Sequence, residues 1–218
     1  MKPDPQVKIC GIKTVDALDC AVDSGADFLG FVFFPSSPRH VLVDQARVLC
    51  SRVPNDIHRV GLFVDPSDEL LGDVLGAVAL DMIQLHGQEK PERVSDIKAF
   101  SRLPVMKAFS VSEAQDVVRA RTYGDVLDWY VFDAKAPAGC DVPGGTGQRF
   151  DWGLLCGEVF DKPWMLAGGL DAGNVGQALS VLSPAAVDVS SGVERARGEK
   201  DLLRIRDFIE AVRKGSGG

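Results

Sequence analysis

No stretch of this chain is apolar for the roughly 20 residues that a bilayer-spanning helix needs. The opening Met1-Lys2-Pro3-Asp4-Pro5 carries no secretory apolar segment, so a cytoplasmic location is expected. Cysteine is sparse and unpaired: the five stand at 10, 20, 50, 140 and 156, with no metal-ligand or redox spacing. Reduced thiols fit that pattern. No metal cluster, nucleotide loop or Schiff-base signature stands out, so neither metal nor cofactor is expected. Positive charge is not in excess either. The net charge of −7 disfavours nonspecific binding to nucleic acid or to an anionic membrane surface. An anionic ligand must then be held by local groups. Linkers, low-complexity segments and internal repeats are missing, which predicts one domain over residues 1–218, with 1–6 and 214–218 as frayed ends.

What is present is a steady alternation. Short apolar runs at Val7–Ile12, Phe28–Phe33, Arg59–Val64, Met82–Leu85, Val105–Phe109, Trp129–Phe132, Trp164–Ala167 and Ala186–Val189 read as strands. Helices are expected between them. The first starts at Thr14 as N-cap and stops at Gly25. Others cover Asp44–Val53, the segment after Asp65-Pro66-Ser67, Pro91–Ser101, Ser112–Arg121, a short piece near Trp152–Gly157, and the segment carrying Val175, Ala178, Leu179 and Leu182. The last, Asp201–Arg213, puts Leu202, Ile205, Phe208, Ile209 and Val212 on one face. Eight strands alternating with eight helices predict the α/β class and a single parallel eight-stranded (β/α)8 TIM barrel. An open doubly wound sheet is the alternative. The long glycine- and proline-bearing loop from Ala134 to Phe150 is expected to be mobile when empty and ordered by ligand.

The stretch Trp164–Glu194 reads as strand, Gly168-Gly169, helix, strand, Ser190-Ser191-Gly192. Two adjacent strand ends rich in small residues bare their backbone amides and suit a phosphate. A plain tight turn at Gly168-Gly169 is the other reading. In a barrel, reactive groups stand at the C-terminal strand ends. Cys10 ends strand one, as reactive thiol or inert buried hydrophobe. Asp133 ends strand six, as reactive carboxyl or loop cap. Arg39, in the loop Pro35-Ser36-Ser37-Pro38-Arg39-His40, reads as ligand contact or surface charge. Gln84 and His86 end strand four, where a histidine serves as hydrogen-bonded structure or in acid–base work. Lys8, Lys107 and Asp188 are charges inside apolar strands, so Lys8, with Lys107 as a second candidate, is expected to pair with Asp188; substrate contact is the rival. Together these suggest proton transfer on a small sugar phosphate.

The motifs Lys8-Ile9-Cys10-Gly11, Gly30-Phe31-Val32-Phe33 with Ser37-Pro38-Arg39, Gln84-Leu85-His86-Gly87, Phe132-Asp133-Ala134-Lys135 with Gly144-Gly145-Thr146-Gly147, Ala167-Gly168-Gly169-Leu170 and Val187-Asp188-Val189-Ser190-Ser191-Gly192-Val193-Glu194 resemble the phosphoribosylanthranilate isomerase family of tryptophan biosynthesis. The resemblance covers about residues 7 to 213 in order. It implies an Amadori rearrangement of N-(5-phosphoribosyl)anthranilate to 1-(2-carboxyphenylamino)-1-deoxyribulose 5-phosphate, without a cofactor. It implies Cys10 as general base, Asp133 as general acid and Arg39 on the anthranilate carboxylate. The phosphate would fall to Gly168, Gly169, Ser190, Ser191 and Gly192, helped by the loop containing Gly145. Gln84 and His86 complete the expected substrate contacts. The partner implied is a small molecule, and the protein a monomer or homodimer. The loop Gly139-Cys140-Asp141 departs from the family pattern.

That chemistry accounts for the residue types. Ring opening needs a proton on the furanose oxygen, so the acid must hold one with substrate bound. The Schiff base then acidifies C2–H, and a thiolate removes that proton if its pKa falls from about 8.5. Two rivals are a related enzyme on a biphosphorylated ribosyl aminoimidazole and a non-catalytic sugar-phosphate barrel. The first needs a second glycine pair after strand three, where Val64-Asp65-Pro66 stands. The second needs neither Cys10 nor Asp133.

Overall fold

The apolar runs become eight parallel strands. In the computed structural model, which describes residues 4–135, 144, 145, 147 and 149–215, these are β1 (Gln6–Cys10), β2 (Phe28–Val32), β3 (His58–Phe63), β4 (Met82–Leu85), β5 (Val105–Val111), β6 (Trp129–Ala134), β7 (Trp164–Leu166) and β8 (Ala186–Val189). Each pairs with its successor and β8 returns to β1, which excludes the open sheet. Around them lie α1 (Val15–Asp23), α2 (Val43–Cys50), α3 (Asp68–Ala77), α4 (Pro91–Ser101), α5 (Ala114–Arg121), α6 (Val175–Val181) and α7 (Leu202–Gly215). Local chemistry starts these helices where the sequence places them. Thr14 Oγ1 accepts from the Ala17 amide at 3.3 Å, Ser67 Oγ accepts from Leu70 at 3.2 Å, and Pro91 opens α4.

Alternate strand residues face opposite ways. Val7, Ile9, Leu29, Phe31, Ile83 and Leu85 pack beneath the helices. Phe28, Val60, Met82, Met106, Val131, Met165 and Ala186 form an apolar floor inside the barrel. One layer higher the interior turns polar, with Lys8, Gln84 and Asp188 all buried. Cys10 shares parity with Lys8, and Asp133 with Val131, so both stand at the mouth above that floor.

The structure departs from the sequence reading in several places. The helix after β6 is a single 3-10 turn, Trp152–Leu155. An antiparallel hairpin of β9 (Glu194–Ala196) and β10 (Glu199–Lys200) stands between β8 and α7. At the ends, Gln6 belongs to β1, its amide donating to Ala185 O at 3.0 Å, and α7 carries the chain to Gly215. Leu202 is exposed, while Ile205, Phe208, Ile209 and Val212 are buried as expected. Lys107 pairs with Glu89 at 3.0 Å and not with Asp188. Cys140, Asp141 and most of the loop they belong to lie outside the described residues, and the expectation of mobility there lies with them. Among the described residues, no helix is long and apolar enough to cross a membrane, and no three His, Cys, Asp or Glu side chains are grouped to hold a metal.

Candidate active site

Cys10 is buried at the end of β1, and its sulfur lies over Gly30 of β2. A Cβ at Gly30 would stand 2.9 Å from Sγ, so this glycine makes the space the thiol occupies. Asp133, on β6, accepts the Ala134 amide at Oδ1 (2.8 Å). Its Oδ2 lies 3.3 Å from His86 Nε2. That pair is close but not aligned for a hydrogen bond, and Nε2 is without a partner. Arg39 is only 4% exposed, which removes the surface-charge reading. Its Nη2 donates to Gly145 O at 3.1 Å, and Nε together with the same Nη2 engages Glu194.

One cleft crosses the barrel mouth in two lobes. The first joins Cys10, Arg39, Gln84, His86 and Asp133 to an apolar wall of Val32, Phe34, Leu62 and Val64. The second is bounded by Gly147, Gly168, Gly169, Leu170 and Ser191. Asp133, Gly145, Asp188 and Ser190 border both lobes, so one elongated ligand can lie across them. Gly192 is not in this lining. It packs on Leu170 O so closely that any Cβ would overlap the carbonyl, which draws the ends of β7 and β8 together. Ser190 Oγ donates to Cys10 O at 3.1 Å, tying the small-residue corner to β1. Neither amide atom of Gln84 has a partner, which leaves both available to a ligand in the first lobe.

Lys8 Nζ lies 3.0 Å from Asp188 Oδ2, the expected buried pair. Burial pulls the Lys8 pKa down, but Asp188 and Cys10 outweigh it and hold the ammonium above its ordinary value. Asp188 Oδ1 remains unpartnered at the junction of the lobes. Cys10 behaves opposite to expectation. Burial pushes its thiol up, Asp188 adds to this, and Lys8 and Lys200 do not overcome them. Two cations therefore face the thiol, and burial still outweighs them.

Sequence reasoning missed Glu194 and Lys200. Both are buried, 3.0 Å apart, and connected to Arg39 or to Ser190. Glu194 closes a quoted motif, a signal that pointed to it without a role. Lys200 sits in a polar stretch, Glu194-Arg195-Ala196-Arg197-Gly198-Glu199-Lys200, that resembles any solvated turn.

The family model described as N-(5'phosphoribosyl)anthranilate (PRA) isomerase matches residues 7–211. N-(5'-phosphoribosyl)anthranilate isomerase of Paramagnetospirillum magneticum is 53% identical, over 96% of this chain and 98% of that protein. The enzyme of Paracoccus denitrificans is 52% identical over 93% and 94%. The crystal structure of phosphoribosyl anthranilate isomerase from Thermotoga maritima superposes with a TM-score of 0.87 at 39% identity, covering 96% of this chain and 99% of that one. A phosphoribosyl anthranilate isomerase solved in complex with reduced 1-(o-carboxyphenylamino)-1-deoxyribulose 5-phosphate gives 0.83 at 36%, with coverage of 96% and 99%. With the match running from the first strand to the last helix, the chain belongs to the N-(5'-phosphoribosyl)anthranilate isomerase family.

Proposed function

We propose that this cleft performs the Amadori rearrangement of N-(5-phosphoribosyl)anthranilate with Cys10 as general base and Asp133 as general acid. The family makes the chain an isomerase of tryptophan biosynthesis; the residue roles are the proposal. One observation carries it: Cys10 and Asp133 border the first lobe of a cleft that has an apolar wall with an arginine in that lobe and a corner of small residues in the second. The anthranilate ring suits Val32, Phe34, Leu62 and Val64, and its carboxylate suits Arg39. The phosphate suits Gly168, Gly169, Ser190 and Ser191, whose strand ends offer backbone amides. The ribosyl carbons then fall at the junction, between thiol and carboxyl.

The reaction moves protons in order. Asp133 gives its proton to the furanose oxygen, the C1–O bond breaks, and the anilino nitrogen becomes an iminium. Cys10 as thiolate then takes the C2 proton, leaving an enolamine. Transfer of the O2 proton to C1 completes the ketone. The reactive state therefore has thiolate and carboxylic acid. It differs from a thiol–carboxylate pair only in the position of one proton. In the empty site burial favours the neutral thiol. The substrate iminium supplies the cation that stabilises the thiolate at the step that needs it.

Turnover of N-(5-phosphoribosyl)anthranilate by purified protein is the test. Cys10→Ala and Asp133→Asn should each lower kcat by about 10²–10⁴, the range of general acid–base catalysis, with a much smaller change in affinity. Near-normal turnover in either variant removes that residue from the mechanism.

A further inference from the structure

Arg39 is held along one edge. Its Nε donates to Glu194 Oε1 at 2.7 Å and its Nη2 to Glu194 Oε2 at 2.9 Å, a two-bond fork between planar groups. Glu194 is itself fixed. Oε1 takes a second bond from Lys200 Nζ at 3.0 Å, and Oε2 one from the Gly198 amide at 3.0 Å. Lys200 Nζ also donates to Ser190 O at 2.9 Å. Burial pushes the Glu194 carboxyl up, but Arg39, Lys200 and the Gly198 amide outweigh it and keep it ionised.

This arrangement leaves a specific vacancy in the charge pattern. Two cations, Arg39 and Lys200, share one buried carboxylate, so one more anion completes neutrality. The guanidinium has five hydrogens. Glu194 occupies the Nε edge, and Gly145 O takes a hydrogen of Nη2 at 3.1 Å. The edge left for a ligand is the one bearing Nη1; a Cβ on Gly145 would collide with that atom, so the glycine keeps the space beside it open.

We propose that Glu194 is the positioning residue of the substrate-carboxylate clamp: it fixes Arg39 by the Nε edge, so that the Nη1 edge meets the anthranilate carboxylate, while Lys200 and the β9–β10 hairpin hold Glu194 in place. This rests on the reading above that Arg39 receives that carboxylate. An arginine without such a partner would turn about its side-chain torsions and lose the orientation that makes it selective. Glu194 touches no substrate atom in this scheme and acts through Arg39.

The test compares two ligands. One is reduced 1-(2-carboxyphenylamino)-1-deoxyribulose 5-phosphate; the other is its phenylamino counterpart, which lacks the ring carboxylate. Glu194→Gln should weaken binding of the first by about 10-fold or more, the scale of a charged hydrogen bond, and change the second by less than about twofold. Its KM should rise more than its kcat falls. Glu194→Asp, which keeps the charge on a shorter stem, should show an intermediate and equally selective loss. In an Arg39→Ala background the Glu194→Gln change should add almost nothing. Equal losses for both ligands, in Gln and Asp variants alike, would make Glu194 a support for the fold alone. Additive losses in the double variant would separate it from Arg39. If Arg39→Ala discriminates the two ligands and Glu194→Gln does not, the positioning proposal fails and the Arg39 reading stands. If Arg39→Ala discriminates neither, both fail.

Discussion

Replacing Lys8 by methionine tests the polar layer inside the barrel. Lys8 is fully buried, its Nζ 3.0 Å from Asp188 Oδ2, and the two residues are register partners across the β1–β8 seam. Methionine keeps most of the stem's volume and removes the charge. Asp188 is then a buried carboxylate without its cation, a defect that costs about 3–5 kcal/mol when one partner of a buried pair is lost. For a chain of this size each kcal/mol shifts the unfolding midpoint by about 2–4 °C. Thermal denaturation followed by circular dichroism should therefore show a fall of about 6–20 °C. The compensated variant Lys8→Met with Asp188→Leu should recover most of it, because replacing both members of a buried pair by packed apolar groups is often neutral. Its activity should not return, since Asp188 also borders the cleft. The pH dependence carries the same signature. Lys8 is held above its ordinary value of 10.5 when folded. The pair's contribution is thus complete below that pH and fades as pH climbs through the higher folded value. The wild-type midpoint should drop more steeply than that of Lys8→Met in that alkaline range. A midpoint within about 2 °C of wild type in Lys8→Met at pH 7 would refute the reasoning.

Two further outcomes follow from the site. Gly192→Ala forces the end of β8 away from Leu170 O, so inhibition by inorganic phosphate should weaken by about 10-fold or more, with kcat changed less; a phosphate inhibition constant within twofold of wild type would move the phosphate elsewhere. Because burial holds the Cys10 thiol above its ordinary value of 9.0, iodoacetamide should modify Cys10 slowly at neutral pH, with a rate that climbs only above pH 9 in the empty protein. Peptide mass spectrometry reads this directly, and a midpoint below 9 contradicts the burial argument.

The alternation of short apolar runs and amphipathic segments was enough to place the barrel, because each strand is buried on both faces and each helix on one. Met82–Leu85 and Pro91–Ser101 have their expected bounds; Pro91 marks where the helix opens, and Asp81 and His86 bracket the apolar strand. The β9–β10 hairpin was not legible. Its seven residues carry five charges, and pairing there is driven by Glu194, Lys200 and Arg39 rather than by an apolar face. Lys107 shows why charge pairs are hard to assign by scarcity. Its partner Glu89 follows β4, the strand beside β5, whereas Asp188 sits on β8 across the barrel. Cys10, Arg39 and Asp133 were legible as candidates, and they do meet at one cleft. Burial of Cys10 was one of its two readings; that burial outweighs the nearby lysines and holds the thiol up was not legible, since desolvation depends on what packs above β1.

The β1–β8 seam has a consequence for how the protein is made. Lys8 with Asp188, Cys10 with Ser190 and Arg39 with Glu194 are separated by 180, 180 and 155 residues. Each joins the first fifth of the chain to its last fifth. Contacts of such long range form late, because the loop they close must first be ordered. A nascent chain that has not yet emerged beyond β7 carries Lys8, Cys10 and Arg39 but lacks the partner of each. Catalytic competence thus arrives together with closure of the barrel, and the appearance of turnover during refolding times the meeting of the two chain ends.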